Sequence, residues 1–138
     1  MSPVSDYPHM QPIPLRWKDN DVYGHVNNVE YYSFFDSVIN EYLILEGGLD
    51  IHAGTTIGLC AESHCVFRSP VEFPGTVIAG LSTAHVGNSS VRYEIGLFDA
   101  SGKSIAEGWF VHVFVDRVSR RPSPIPPSLH AKLEEIAR

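Results

Sequence analysis

Polar side chains that could do chemistry are concentrated in one short stretch near the start of the chain. Directly before the most helix-like segment of the sequence stand Asp19, Asp21, Gly24, His25, Asn27 and Asn28. A carboxylate beside a helix N-terminus faces unpaired main-chain amides and the positive end of the helix dipole, which favour its ionised form. In that position Asp21 could attack a carbonyl carbon or activate a water molecule. The alternative is that Asp21 only caps a turn, as aspartate commonly does before glycine.

The start of the same helix offers a hydrogen-bond donor. If the Asn27 side chain caps the helix, the main-chain amide of Asn28 has no acceptor within the helix and can donate to an external oxygen. Aimed at a carbonyl, this amide would stabilise the oxyanion of a tetrahedral species, and losing one such donor commonly costs about 3 to 4 kcal/mol. The alternative is an ordinary solvated helix end, although a buried helix has little solvent around it.

Three further residues complete the candidate site. His25 could orient Asp21, hydrogen-bond a substrate, or simply occupy the turn. Asn27 is first of all a helix cap, and both Asn27 and Tyr31 are candidate substrate contacts. The other histidines have no helical i, i+4 pair and no cysteine partner at ligand spacing, so we expect no metal site and no cofactor.

A long helix must position these groups. It begins after Asn27, carries Glu30 in its first turn, and is expected to end near Leu45 before the glycine pair at 47–48. Its polar residues recur on one narrow stripe and the rest of its circumference is apolar, which is typical of a buried helix. Asp36 lies away from the polar stripe, so burial is expected to force this carboxylate into a pair.

The remainder of the chain alternates with the period of strands. We expect strands at about 15–18, 59–68, 76–86, 91–97 and 104–116. One early helix followed by strands predicts an α+β fold in which an antiparallel sheet of about five strands wraps around one long buried helix. At 138 residues the chain is expected to form a single domain over 1–138, with a leader at 1–13 and a short C-terminal helix at 128–138.

The stretch 19–28, written Asp-x-Asp-x-x-Gly-His-x-Asn-Asn, resembles the hotdog-fold acyl-CoA thioesterases of the 4-hydroxybenzoyl-CoA thioesterase type. With Tyr31, the long helix and the later strands, the resemblance covers roughly Leu15 to Pro127. It implies a hotdog fold and hydrolysis of an acyl-CoA to a free acid and coenzyme A. It also implies that Asp21 is the catalytic carboxylate and that the Asn28 amide polarises the thioester. The 4-hydroxybenzoyl branch does not use a histidine at the position of His25.

Two other functions stay open on the residues alone. A hotdog dehydratase or hydratase acting on acyl thioesters typically needs a catalytic histidine working with a carboxylate, and His25 with Asp21 would supply that pair. A module that binds acyl-CoA without turning it over is the second alternative. A serine-hydrolase mechanism has no support, because no serine lies in a Gly-x-Ser-x-Gly sequence.

The charge balance restricts the partners. A formal net charge of -6 argues against a nucleic-acid partner, and any phosphate-bearing ligand would need a local basic patch. The densest basic cluster consists of Arg117, Arg120 and Arg121, which would suit the phosphates of coenzyme A. The alternative for this cluster is solvated positive charge after a strand.

Assembly and location follow from the same patterns. A helix buried on nearly all sides cannot be covered by one small sheet, so we expect a homo-oligomer, a dimer that pairs into a tetramer. No segment approaches the ~18 consecutive apolar residues of a membrane span. The first 14 residues lack the basic and apolar regions of a signal peptide, and the two cysteines fit reduced thiols. We therefore expect a cytoplasmic protein.

Overall fold

A five-stranded antiparallel sheet packs against one long helix in the computed structural model, which describes residues 3–138. The elements are β1 (His9–Pro14), α1 (Asn28–Glu41), β2 (Thr56–Phe67), β3 (Thr76–Val86), β4 (Ser90–Phe98), β5 (Ser104–Asp116) and α2 (Pro127–Glu135). The strand order across the sheet is β1-β3-β4-β5-β2, and each neighbouring pair is antiparallel. The predicted α+β architecture is confirmed. Within residues 3–138, no helix has the length and apolar character needed to cross a membrane.

The first strand lies earlier in the chain than predicted. We expected a strand at 15–18 after an irregular leader at 1–13, but β1 pairs with β3 and Trp17–Asp19 forms a 3-10 turn. The two prolines of β1 had argued against a strand there. They are compatible with one because β1 is an edge strand, bonded to β3 on one side only, so an absent amide hydrogen can face outward. Residues 1 and 2 of the predicted leader lie outside the described residues.

Both ends of α1 match the prediction. The Asn27 side chain accepts a hydrogen bond from the Val29 amide at 3.0 Å, as a helix cap should. At the other end α1 continues through a π-helical turn at Tyr42–Glu46 and ends at Gly47. Gly48 follows with a φ of 70°, in the left-handed region that favours glycine.

One face of α1 is buried against the sheet. The buried residues of α1 are Tyr31, Phe34, Phe35, Val38 and Ile39. Phe35 packs where Gly108 of β5 has no side chain, because a Cβ atom at position 108 would lie 2.7 Å from the Phe35 ring. The missing side chain therefore lets the helix approach the sheet closely, which is a common role for glycine within a strand.

The opposite face of α1 is exposed in the single chain. The prediction that the helix is buried on nearly all sides is therefore wrong for one chain by itself. Val29 is 66% exposed, and Tyr32 is also exposed. Asp36 is exposed and accepts a hydrogen bond from the Asn40 side-chain amide at 3.0 Å, which corrects the expectation that burial pairs this carboxylate. The side chains of residues 59–64, on the unpaired edge of β2, are exposed as well. The single chain therefore presents two uncovered surfaces, an edge strand and a helix face.

Candidate active site

A short hairpin carries Asp21 back towards the start of α1. The Asp21 amide donates to the His25 carbonyl at 3.0 Å, and the Asn27 amide donates to the Asp19 carbonyl at 2.9 Å. Gly24 occupies the turn with a φ of 88°, a conformation that a side chain would strain. The hairpin is thus closed by main-chain bonds at two levels, and it sets Asp21 beside the first residues of the helix.

Only one oxygen of the Asp21 carboxylate is hydrogen-bonded within its own turn. Its Oδ1 atom accepts a hydrogen bond from the Tyr23 amide at 2.9 Å, while Oδ2 has no hydrogen-bond partner within residues 3–138. The side chain is half-buried. The two interpretations of this residue are therefore compatible, since one oxygen caps the turn and the other remains available for a proton or a carbon atom.

The helix start leaves a main-chain donor at Asn28. Because Asn27 accepts the bond from Val29 through its side chain, and the Asn27 carbonyl accepts the bond from Glu30, these two later amides are satisfied. The Asn28 amide makes no hydrogen bond with any described residue. This arrangement is the one expected for a donor to an oxygen atom that comes from outside the chain.

Asp21 and Asn28 line the same cavity, which has a volume of about 330 Å³. Four of the predicted site residues meet there, namely Asp21, His25, Asn28 and Tyr31. The remaining wall was not predicted and consists of Val26, Phe67, Arg68, Ser69 and Pro70. The period-two pattern that ends at Pro70 marked the end of β2, but no local signal linked it to the hairpin.

Hydrogen bonds between distant segments hold the end of β2 against the hairpin. The Val26 amide donates to the Val71 carbonyl at 2.8 Å, and the Phe73 amide donates to the Asn20 side chain at 3.1 Å. On the other side, the amide of Arg68 donates to the Ile105 carbonyl of β5 at 2.9 Å. The wall of the cavity is therefore fixed to both the hairpin and the sheet.

The other acidic residue of the motif has a different environment. Asp19 is fully buried and accepts hydrogen bonds from the Arg16 main-chain amide at 2.8 Å and from the Arg16 guanidinium at 3.0 Å. A buried carboxylate needs such partners, and here they close the 3-10 turn that leads into the hairpin. Asp19 therefore supports the loop and does not line the cavity.

His25 is exposed on the rim of the cavity. Its Nδ1 atom lies 3.4 Å from the Val26 carbonyl oxygen, and no described contact joins its ring to the Asp21 carboxylate. The same residue also lines a second cavity of about 380 Å³ together with Tyr23 and Glu72. The structure thus places His25 between two cavities and shows no bond by which it would orient Asp21.

Two aromatic rings, of Tyr31 and Phe67, line the first cavity. The Tyr31 ring centroid lies 5.1 Å from that of Phe67 and 6.1 Å from that of Phe34. Burial raises the pKa of the Tyr31 phenol, and the nearby Cys65 thiol contributes in the same direction. Tyr31 therefore stays neutral and presents a hydroxyl group to its surroundings.

The three arginines predicted to bind substrate do not line this cavity in the single chain. Arg117 donates to the carbonyl oxygens of Gly54 and Ile51, both at 2.6 Å, and so holds the loop before β2. Arg120 has a φ of 64° in the turn after β5. These residues follow the end of β5 that pairs with the start of β2, whereas the cavity lies at the other end of β2. Asn27 likewise acts as the helix cap and is not part of the cavity wall.

The chain is similar to known proteins over most of its length. The family model described as the Thioesterase-like superfamily matches residues 15–133. The solved structure of the PA5185 protein from Pseudomonas aeruginosa strain PAO1 is 51% identical in sequence. The alignment covers 98% of this chain and 95% of that protein's chain, with a TM-score of 0.95. No curated protein matches the chain at a significant level.

Two more distant structures share the fold. The PA2801 protein from Pseudomonas aeruginosa is 29% identical over 91% of this chain and 97% of its own, with a TM-score of 0.84. The SAV2348 protein from Staphylococcus aureus, solved in complex with CoA, is 13% identical over 94% of this chain and 85% of its own, with a TM-score of 0.85. At that identity the likeness is one of fold alone. Together with the five-stranded sheet and long helix, the matches identify the predicted hotdog fold, and the chain belongs to the thioesterase-like superfamily.

Proposed function

We propose that this protein hydrolyses an acyl-CoA thioester to a free carboxylic acid and coenzyme A. The observation that carries the proposal is the convergence of the Asp21 carboxylate and the unpaired Asn28 amide on one cavity. Family membership supports thioester hydrolysis, and the CoA complex of the Staphylococcus aureus protein supports a CoA-type ligand. The resemblance to the 4-hydroxybenzoyl-CoA thioesterase type remains part of this proposal.

The two groups would act on different atoms of the reaction, the Asn28 amide on the thioester oxygen and Asp21 on the attacking water or the carbonyl carbon. The Asn28 amide donates to the thioester oxygen and stabilises it as the tetrahedral intermediate forms. Asp21 either removes a proton from the attacking water or attacks the carbonyl carbon through Oδ2 to give an anhydride that water then cleaves. In both routes the carbon–sulfur bond breaks, the thiolate leaves as coenzyme A, and one water molecule is consumed.

A second subunit would complete the site. The free edge of β2 and the exposed face of α1 are two surfaces that a copy of the chain can cover, so we propose a homodimer, with a tetramer as the next level of assembly. Two-fold symmetry makes two joined β2 strands antiparallel. The start of the partner's β2 then lies near the Phe67 end of this strand and brings the partner's Arg117, Arg120 and Arg121 towards the cavity. Light scattering should give a mass of at least twice 15.3 kDa.

A panel of acyl-CoA substrates tests the activity. Release of free thiol from the wild type, lost in Asp21→Asn and retained in Asp6→Asn, would support hydrolysis, because Asp6 is exposed and does not line the cavity. Reversible addition of water with the thioester intact would instead support the dehydratase or hydratase. Ligand binding without any turnover would support the binding module.

A further inference from the structure

Phe67, at the end of β2, is a large apolar residue that stays partly exposed. Its side chain is 46% exposed, although it is large and apolar and its ring lies 5.1 Å from the buried ring of Tyr31. It lines the cavity that holds Asp21, and it was not among the predicted site residues. An aromatic ring kept partly open at this position is suited to contact a ligand that lies in the cavity.

The cavity is lined by both polar and apolar residues. Asp21 and Asn28 mark the place of the reacting carbonyl, while Val26, Tyr31 and Phe67 supply the apolar surface. A volume of about 330 Å³ is at the lower limit of the 300 to 1,000 Å³ typical of small-molecule sites. Within one chain, the part of that space not taken by the thioester fits a compact acyl group.

The main chain around Phe67 is fixed, so the ring cannot move aside by shifting its backbone. Phe67 pairs with Ala106 of β5, and the next two amides, at Arg68 and Ser69, donate to the Ile105 carbonyl at 2.9 and 3.2 Å. The residue across the sheet is small, and Cys65 lies on the same face two residues earlier. Removing the Phe67 ring would therefore open space beside the Tyr31 ring, with the small side chains of Ala106 and Cys65 nearby.

We propose that Phe67 determines acyl-group specificity by limiting the apolar part of the cavity, so that short chains and single rings are accepted and long chains are excluded. The inference rests on the proposed function for the identity of the substrate. Phe67 itself takes no part in bond breaking, and its effect is on which acyl group reaches Asp21 and Asn28. The fit of the acyl group is an apolar packing effect, and such effects discriminate by about 10- to 200-fold per methylene at most.

The test compares Phe67→Ala with Val66→Ala. Val66 is the preceding residue of β2, faces the other side of the sheet and does not line the cavity. For each protein, dissociation constants are measured for S-propyl-CoA and S-dodecyl-CoA, which cannot be hydrolysed, and kcat/KM is measured for propionyl-CoA and dodecanoyl-CoA. We expect Phe67→Ala to shift both long-to-short ratios towards the long chain by about tenfold or more. Val66→Ala should leave them within about twofold of the wild type.

The two readouts separate the two proposals. A shifted binding ratio without thiol release from any substrate would contradict the proposed hydrolysis and keep Phe67 as the determinant of ligand size. Equal ratios in the two variants, or a wild type that binds the long chain as well as the short one, would overturn the role of Phe67. If the wild type releases thiol but the long-to-short ratios of Phe67→Ala equal those of the wild type, hydrolysis would be supported and the role of Phe67 in specificity would be refuted.

Discussion

The main-chain amide of Asn27 donates to the carbonyl oxygen of Asp19 at 2.9 Å, and this bond ties the start of α1 to the segment that carries Asp21. A second bond, from the Asp21 amide to the His25 carbonyl at 3.0 Å, closes the hairpin. The acid and the Asn28 amide therefore face one cavity as a result of bonds made within the stretch 19–28. Their relative position depends on backbone geometry more than on any side-chain contact.

A glycine pair tests whether the hairpin matters for activity. Gly24 and Gly48 both have positive φ values, 88° and 70°, and an added Cβ atom would meet no atom within 4 Å at either position. Each change to alanine should therefore cost about 1 to 2 kcal/mol of unfolding free energy through backbone strain alone. Only Gly24→Ala should also lower turnover, because Gly24 lies in the hairpin that holds Asp21 and Gly48 does not. Urea unfolding and initial rates of thiol release give the two quantities.

Equal turnover in the Gly24→Ala and Gly48→Ala proteins, at equal loss of stability, would show that hairpin geometry does not control the site. The comparison is informative because general destabilisation affects both variants alike.

Local signals were sufficient to predict the helix cap and the candidate pair of groups. The cap at Asn27 and the glycine stop of α1 depend on residues only a few positions apart, so the sequence displays them directly. Phe67 and Ser69 reach the cavity through long-range bonds between the hairpin and the end of β2, which depend on the order of strands in the sheet. The apolar pattern of α1 likewise indicates a covered surface without showing whether the chain's own sheet or a second copy covers it.

Acid should destabilise the protein through His112. This residue is buried, its Nδ1 atom lies 3.1 Å from the Tyr93 hydroxyl, and burial lowers its pKa to about 4. Because the unfolded chain has the ordinary value near 6.5 and so binds the proton first, the folded state loses stability as the pH falls from about 6.5 to 4. The loss between pH 7 and pH 4.5 should be about 2 to 2.5 kcal/mol, and it should be measured as the difference in urea unfolding free energy between those two pH values.

His112→Asn removes the titrating group and serves as the comparison. Its unfolding free energy at pH 7 should be lower than that of the wild type, because a core contact is lost. The further decrease between pH 7 and pH 4.5 should be smaller than in the wild type. If the two proteins lose the same free energy over that range, other groups account for the acid sensitivity.

The arginines after β5 should affect only substrates that carry phosphates. The double change Arg120→Asn and Arg121→Gln removes two charges, and asparagine tolerates the positive φ of 64° at position 120. If the partner's arginines reach the cavity, KM for an acyl-CoA should rise several-fold, while KM for the same acyl group on N-acetylcysteamine stays unchanged. Lys132→Gln, on α2, is the charge control. An equal rise for both substrates would indicate a structural effect instead of phosphate binding.

The Asn28 amide can be removed without disturbing the helix start, and this offers the most direct test of the proposed site. Asn28 is the first residue of α1, where proline is well tolerated, and Asn27 already has the extended conformation that a following proline requires. Asn28→Pro deletes the donor, and Asn28→Ala changes the same side chain but keeps it. Thiol release should fall by about 10²- to 10³-fold in Asn28→Pro and stay near the wild-type rate in Asn28→Ala, with similar unfolding free energies. Full activity in a folded Asn28→Pro protein would contradict the account.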